Sequence, residues 1–133
     1  MNKLNFPHIP EYTPLQLLPV LQKIKDTYLL WYDCYQTIPK IHRHSLGQKV
    51  DNLFVQIIEA ITTASFLSRD KKLPYVCTAI QKVDTLKIFL MIIWETKSLD
   101  NKKYIALSIK IDEIGRMLGG WNGQLQKQNS PTK

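Results

Sequence analysis

Apolar residues recur at alternating steps of three and four along four stretches of this chain, a spacing that places side chains on one face of an α-helix. No stretch shows the alternation typical of a β-strand. The pattern therefore predicts an all-α fold, an up-down-up-down antiparallel four-helix bundle over residues 19–126. In chain order, the four predicted apolar faces comprise Leu21, Ile24, Tyr28, Trp31, Tyr35 and Ile38; Leu46, Val50, Leu53, Ile57, Ile61, Ala64 and Leu67; Val76, Ile80, Val83, Leu86, Leu90 and Ile93; and Tyr104, Leu107, Ile111, Ile114, Leu118, Trp121 and Leu125.

Prolines and polar residues set the predicted limits of the bundle. Residues 1–18 contain three prolines, which predict an extended N-terminal arm rather than a helix. The first helix is predicted to start at Pro19 and to end before Pro39. Residues 127–133 are polar, include a further proline, and are predicted to form a disordered tail.

Capping signals mark the starts of the other three helices. Ser45 with Gln48 fits a capping box, so the second helix is predicted to start there after a short connection and to run to about residue 68. The third helix is predicted to start around Pro74, after a charged turn at residues 69–72. The fourth has two alternative N-caps, Ser98 and Asp100.

The third predicted helix is apolar on every side in its second half. From residue 86 to residue 94 its only polar residue is Lys87. A helix of this kind is buried on more than one side, which in so small a domain implies a neighbouring subunit. We therefore predict a homo-oligomer, in which the packing residues of this helix are Ile88, Phe89, Met91, Ile92 and Trp94.

The second half of the fourth helix is rich in glycine. Gly115 and Gly119 lie one turn apart, and each interior glycine destabilises a helix by roughly 1 kcal/mol relative to alanine. Together with Trp121, we assign both to packing, because a flat strip lets another backbone come close. A ligand-contacting role is the alternative, although nothing in the segment resembles a phosphate-binding loop.

The composition adds an excess of positive charge to an ordinary globular domain. The 133 residues carry 18 Lys and Arg against 11 Asp and Glu, which gives a formal net charge of +7 and a pI near 9.4. Such an excess favours nucleic acid or another acidic partner. A moderately basic protein without such a partner is the alternative.

Other features bear on the compartment. Cys34 and Cys77 lack a CxxC or Cys/His pattern, so free thiols are favoured over a disulfide or a zinc site. The first ten residues lack the apolar stretch of a signal peptide, and the longest apolar run, residues 88–94, is far shorter than the roughly 20 residues that span a bilayer. We expect a cytoplasmic protein with no membrane partner.

The sequence offers little catalytic or metal-binding chemistry. His42 and His44 lie two residues apart with no carboxylate or cysteine beside them, which favours a basic surface turn over a metal site. Asp112 and Glu113 are adjacent, so their side chains diverge on a helix and do not form an acid/base pair. We expect no enzyme activity, no metal and no cofactor.

Basic residues cluster around the first two connections and continue along the third helix. Lysine ammonium groups bind phosphates as point charges, which gives salt-sensitive affinity with little sequence preference. The two connections lie at opposite ends of an up-down bundle, so no single patch on one protomer holds both. The candidate residues for binding nucleic acid or a polymerase are Lys40, His42, Arg43, His44, Lys49, Arg69, Lys71, Lys72, Lys82 and Lys87.

Lys87 and the aromatic residues need separate interpretation. A lone cation in an apolar stretch must reach water, a carboxylate such as Asp84, or a polyanion. Tyr28, Trp31 and Tyr35 lie on the apolar face of their helix, as Trp121 does on its own, and this position favours packing over base stacking.

Two segments together resemble a known family. Residues 38–48 (IPKIHRHSLGQ) and 112–121 (DEIGRMLGGW) are similar to the signature stretches of the Avd-type four-helix-bundle proteins, the accessory variability determinants of diversity-generating retroelements. These are related to the bundle proteins encoded by intervening sequences in bacterial large-subunit ribosomal RNA genes. Residues 18–23 (LPVLQK) and 84–87 (DTLK) extend the resemblance over about residues 18–123.

The resemblance implies a homopentamer of small basic bundles that partners the retroelement's reverse transcriptase. It also implies contact with the template RNA, or with DNA, during mutagenic copying. The chain departs from the family pattern at Ile38, where an aromatic is expected, at Ile41, where a small polar residue is expected, and at Lys40 and Lys87, where arginine is usual. Lysine keeps the charge and loses the bidentate fork. The alternative function is a structural or interaction protein of the intervening-sequence type, with no nucleic-acid role.

Overall fold

The computed structural model describes residues 15–130, so the first 14 residues of the arm predicted for residues 1–18 and the last three positions of the predicted tail lie outside the described residues. The elements are α1 (Pro19–Tyr35), α2 (Lys40–His42), a π-helical turn (Arg43–Gly47), α3 (Gln48–Phe66), α4 (Arg69–Glu95) and α5 (Asn101–Asn129). No strand occurs between residues 15 and 130. The predicted all-α four-helix fold is confirmed, with α1, α3, α4 and α5 as its long helices.

The long helices form a four-sided bundle in which each packs against two neighbours, in the order α1, α3, α4, α5 and back to α1. Two contacts between elements distant in sequence mark its two ends. At one end, Lys103 Nζ donates a hydrogen bond to Thr37 Oγ1 at 3.1 Å. At the other, Asn129 Nδ2 donates to the carbonyl of Arg69 at 3.3 Å. We call these the turn end, which holds the π-helical turn, and the groove end, which holds the first residues of α1.

The four predicted apolar faces form the core. Trp31 and Phe54 are the largest fully buried side chains, and their rings stack with centroids 6.0 Å apart. Phe54 was not among the predicted positions. Most of the predicted positions are buried, while a few at the edges of the faces, such as Ile80 and Tyr104, are partly buried and pack against the core. The helical periodicity of the sequence thus identifies the packed surface of every long helix.

The connection from α1 to α3 differs from its prediction. Ser45 does not cap a helix, because the helical path already begins at Lys40, directly after Pro39, and Ser45 lies inside the π-helical turn. The predicted capping box and the assignment of this segment to a loop are therefore wrong. Proline explains the difference: Pro39 cannot extend α1, yet its fixed φ suits the residue that precedes a new helix.

In this connection the ring of Tyr35 lies so close to the backbone of residue 47 that only glycine fits there. A Cβ at Gly47 would lie 2.9 Å from Cε1 of Tyr35, closer than side-chain atoms normally come. The Tyr35 hydroxyl donates to the carbonyl of Arg43 at 3.1 Å, which fixes the ring against the turn. The π-helical turn and the end of α1 are thereby packed tightly together.

The charged turn predicted at residues 69–72 is instead the first turn of α4, which begins at Arg69, earlier than expected. Lys72 Nζ donates to the carbonyls of Ala64 at 2.6 Å and Ser65 at 3.4 Å, both at the end of α3. The Ala64 carbonyl also accepts from the N–H of Leu67 at 3.3 Å, so the lysine adds a charged donor to the acceptors at the C-terminus of α3.

The connection from α4 to α5 is a close turn built on one left-handed residue. Lys97 has φ 65°, its N–H bonds the carbonyl of Trp94, and the N–H of Ser98 bonds that of Ile93; this pattern is a Schellman motif. Asp100 then caps α5 by accepting from the N–H of Lys103 at 2.8 Å. Of the two predicted caps, Asp100 is therefore correct, and Ser98 is buried with an unpaired hydroxyl.

The glycine-rich half of α5 does not pack as predicted within the protomer. A Cβ built on Gly119 would have no other atom of the described residues within 4 Å. No neighbouring helix of the same chain therefore packs closely against this glycine. A Cβ on Gly115 would lie 3.5 Å from Lys87 Nζ, an ordinary contact. The helix also continues to Asn129, beyond the predicted end at residue 126.

Within residues 15–130, none of the helices combines the length and the apolar character needed to cross a membrane.

Candidate nucleic-acid interface

The cations of the first connection divide into exposed groups and groups held by the protein. Lys40, His44 and Lys49 are exposed, while His42 and Arg43 are half-buried. The Arg43 guanidinium donates to the carbonyl of Ile38, from Nη2 at 3.0 Å and from Nε at 3.3 Å, and Nη2 also reaches the carbonyl of Gln36 at 3.4 Å. Arg43 therefore serves the end of α1, and the charges open to a partner are chiefly those of the two lysines.

The turn end also holds two exposed lysines that the sequence analysis did not identify as candidates. Lys97 is in the connection from α4 to α5, and Lys102 is in the first turn of α5. The antiparallel order brings this connection to the same end as Lys40 and Lys49. Acidic groups, including Asp100 and Glu95, are interspersed. In the predicted up-down bundle the first and third connections lie at the same end, and this order was the signal that could have identified these lysines.

The second basic cluster lies at the groove end. Arg69 and Lys71 are exposed, whereas Lys72 is half-buried, caps α3 and stands 5.9 Å from the ring centroid of Trp121. The structure thus places the two predicted clusters at opposite ends, as the sequence implied, and it does not bring them together. Lys82 is half-buried on α4 between them.

Lys87 reaches a carboxylate of another helix. Its Nζ lies 3.5 Å from Oδ1 of Asp112 on α5, so the acidic partner is Asp112 rather than Asp84. Both side chains are partly exposed, and such pairs contribute little stability, about 0–1 kcal/mol. They line a groove of about 240 Å³ with Asp84, Gly115 and Arg116. Opposite charges alternate in this groove, which makes it a poor match for a polyanion alone.

The predicted oligomer residues of α4 also divide into two groups. Ile88, Met91 and Ile92 are exposed, at 53%, 39% and 37% of their surface. Phe89 packs against the core, and Trp94 stacks on Tyr104 with ring centroids 4.6 Å apart, so these two side chains have contacts within the protomer.

Two isoleucines of another helix are also exposed and were not predicted. Ile105 and Ile109 of α5 are 55% and 61% exposed and lie one helical turn apart. Their spacing of four residues, off the buried face of α5, was the available signal. Several exposed large apolar side chains on one protomer are typical of a surface that binds another protein.

The aromatic residues of α1 belong to a packed network. Asp51 Oδ1 accepts hydrogen bonds from the Tyr28 hydroxyl at 2.9 Å and from Trp31 Nε1 at 3.2 Å. Burial, followed by the hydrogen bond to the Asp51 carboxylate, raises the pKa of Tyr28 to about 12. These rings join α1 to α3, which confirms their assignment to packing.

The thiols and the potential metal ligands of the described residues were also located. Among the described residues, no three His, Cys, Asp or Glu side chains come together in a way that could hold a metal ion. Cys34 and Cys77 are both free. Burial raises the pKa of the Cys34 thiol, which disfavours the reactive thiolate.

Comparison with family models identifies a relationship. A family model described as bAvd-like matches residues 18–125. A search of curated proteins finds no match. The matched range includes the π-helical turn, α1, α3, α4, most of α5 and both segments that carried the resemblance in the sequence.

Proposed function

The chain belongs to the bAvd-like family, and from this premise we propose that it is a non-catalytic accessory protein of a diversity-generating retroelement, which binds the element's reverse transcriptase and its template RNA. The observation that carries the proposal is the family match over residues 18–125, which covers all of the helical bundle except the last four residues of α5. The net charge of +7 supports an anionic partner.

We place the RNA contact at the turn end. Lys40, Lys49, Lys97 and Lys102 are exposed there, on two connections and the adjoining turns. Lysines on flexible stems contact phosphates without reading bases, which suits a protein that holds a template of varying sequence. Arg43 supports this surface indirectly, because its guanidinium holds the end of α1 against the turn.

We further propose that the protein acts as a homopentamer. Support comes from the exposed apolar residues Ile88, Met91 and Ile92 of α4 and Ile105 and Ile109 of α5, which a neighbouring copy would bury. A ring of copies would also present five sets of basic connections on one face. Several weak phosphate contacts would then act together on a single RNA, which raises its affinity without any new contact.

A second function is favoured by a specific observation. Arg43, Lys72 and Lys87 all interact with groups of the protein itself, so part of the positive charge is structural. An interaction protein of the intervening-sequence type, without a nucleic-acid role, would need only that structural charge.

The deciding experiment measures binding of structured RNA by fluorescence anisotropy across a salt series, with and without the partner reverse transcriptase. We expect affinity that falls steeply as salt rises. The double variant Lys40→Glu/Lys49→Glu should weaken RNA binding by about tenfold or more, since each lost phosphate contact lowers affinity and reduces the salt slope by about one.

The matched control is Arg69→Glu/Lys71→Glu at the groove end, which makes the same change in net charge. We expect it to retain most of the RNA affinity and the same helical circular dichroism. Equal losses in the two double variants would refute placement at the turn end. No binding to RNA in either condition would leave the second function.

A further inference from the structure

The π-helical turn lies between the two exposed lysines of the first connection. Lys40 is three residues before the first residue of the turn, Arg43, and Lys49 is two residues after its last, Gly47. The backbone is helical before, within and after the turn. Single π-helical turns inside α-helices are rare and occur frequently at functional sites. This turn therefore controls how Lys40 and Lys49 are placed relative to each other.

The turn decides on which sides of the helical path the two lysines lie. Lys49 follows Lys40 by nine positions. In a regular α-helix, nine residues make about two and a half turns, which would place the two side chains on opposite sides. A π-helical turn takes up one residue more than an α-helical turn does, so here the nine residues make only about two and a quarter turns. The two exposed side chains are then about a quarter of a turn apart, and one polyanion strand can reach both.

Tyr35, the last residue of α1, contacts both ends of the turn. Its hydroxyl donates a hydrogen bond to the carbonyl of Arg43, the first residue of the turn, at 3.1 Å. Its ring lies against Gly47, the last residue, where a Cβ would come within 2.9 Å of Cε1. The fully buried Trp31 supports the ring of Tyr35, with centroids 5.7 Å apart. A single side chain thus holds the turn at its first and its last residue.

Lys49 is held in a different way. Its Nζ lies 5.7 Å from the ring centroid of Phe89 on α4, a distance typical of a cation–π contact, and Phe89 packs against the core. The residue after Lys49, Val50, is fully buried and fixes the register of α3. Lys40 lies on the other side of the turn, so a change in the turn alters its direction relative to Lys49.

We propose that Tyr35 is a positioning residue of the phosphate-binding surface. It holds the π-helical turn in the form that places Lys40 and Lys49 on one side of the helical path, where both contact the same polyanion strand. The inference rests on the RNA contact proposed above, and it adds a role for a side chain that itself touches no phosphate.

The variant Tyr35→Phe tests this role, because it removes the hydroxyl and leaves the ring. In the anisotropy assay with structured RNA at low salt, it should lower affinity by about threefold, since one hydrogen bond that holds the turn is lost. The matched control is Tyr32→Phe, the same change at a residue of α1 that is 53% exposed, and it should leave affinity unchanged. Unaltered RNA affinity in Tyr35→Phe would overturn the inference.

A double-mutant cycle separates positioning of Lys40 from a general loss of structure. In a Lys40→Gln background, Tyr35→Phe should have almost no further effect on affinity, because the side chain whose direction it sets has lost its charge. In a Lys102→Gln background, which removes a charge from the same end of the bundle, Tyr35→Phe should keep its full effect. Equal effects in the two backgrounds would overturn the inference, since the hydroxyl would then act on the fold as a whole.

Amide hydrogen exchange without RNA, followed by mass spectrometry, examines the turn by itself. Tyr35→Phe should speed exchange several-fold in peptides that cover residues 43–48 and leave peptides of α4 and α5 unchanged. Unchanged exchange at residues 43–48, in a native protein that does bind RNA, would overturn the inference and leave the proposed function standing. No RNA binding by the native protein would instead refute the proposed function, and with it the phosphate-binding surface that Tyr35 is proposed to position.

Discussion

The two ends of the bundle are packed to different extents. At the turn end, Gly47 lies under the ring of Tyr35, Arg43 bonds two carbonyls at the end of α1, and Asp51 accepts from two aromatic donors. Towards the groove end, Gly119 faces open space, and an apolar groove of about 550 Å³ includes the exposed ring of Phe66.

The comparison distinguishes surface that is covered by contacts within the protomer from surface that stays exposed. At the turn end, contacts within the bundle hold the connection from α1 to α3 through Gly47, Arg43 and Asp51. At the groove end, the bundle alone leaves apolar surface uncovered. The two ends therefore present different surfaces, exposed lysines at the first and exposed apolar side chains at the second.

The largest effect is expected at Asp51, which lies in the first turn of α3. Asp51→Ala should lower the free energy of unfolding by about 3 kcal/mol, because it leaves the donors of Tyr28 and the buried Trp31 without a partner. Urea unfolding followed by circular dichroism measures the loss. Glu59→Ala, an exposed carboxylate in the other half of α3, should change stability by no more than about 0.5 kcal/mol. Similar losses of unfolding free energy for the two variants would mean that the two ends are packed to the same extent.

A pair of glycine substitutions compares packing directly. Gly47→Ala should cost about 2 kcal/mol, because the new methyl group would displace the ring of Tyr35. Gly119→Ala should instead stabilise the protein by about 1 kcal/mol, because it replaces a helix-interior glycine in open space. Both are measured by the same unfolding assay. A destabilising Gly119→Ala would show that a neighbouring copy approaches this position, and comparing dilute with concentrated protein would reveal that dependence.

The smallest effect is expected at Lys97, which belongs to the turn end yet holds backbone strain. Lys97→Gly should stabilise the protein by up to about 1 kcal/mol, because glycine adopts a φ of 65° without steric cost. Thermal unfolding measures the gain. Lys97→Ala is the control for charge and should leave stability near its original value. Equal stabilisation by alanine would point to charge repulsion rather than backbone strain.

The sequence was sufficient for the long helices and for most of the core, because burial follows the period of the apolar residues. It was insufficient at the connections. Ser45 and Gln48 have the right spacing for a capping box, yet the position of Pro39 lets the helical path start earlier, and spacing alone cannot rank two possible starts. Helix boundaries depend on such competition between local signals.

Only part of the candidate site was predicted, because the sequence does not show which basic side chains are bound within the protein. A basic residue in the sequence carries the same charge whether it is free or bound to a carbonyl. Arg43 and Lys72 bond carbonyls five to eight residues away, across a connection, and this geometry exists only after the helices have packed. Lys97 and Lys102 were missed because their closeness to the first connection arises from the antiparallel order of α1 and α5.

The π-helical turn affects the direction in which Lys40 and Ile41 point relative to α3. An α-helix rotates by about 100° per residue, and a π-helical turn accommodates one residue more than an α-helical turn does. The backbone is helical from Lys40 to Phe66, so the five residues from Arg43 to Gly47 set the angular phase of Lys40 and Ile41 relative to the buried face of α3. Because the π-helical turn takes up its extra residue within one turn, loss of a single residue there would restore an uninterrupted α-helix and leave both side chains near their present angular positions. The outward direction of Lys40 and the register of the core that begins at Val50 are therefore both compatible with the gain or loss of one codon in this segment.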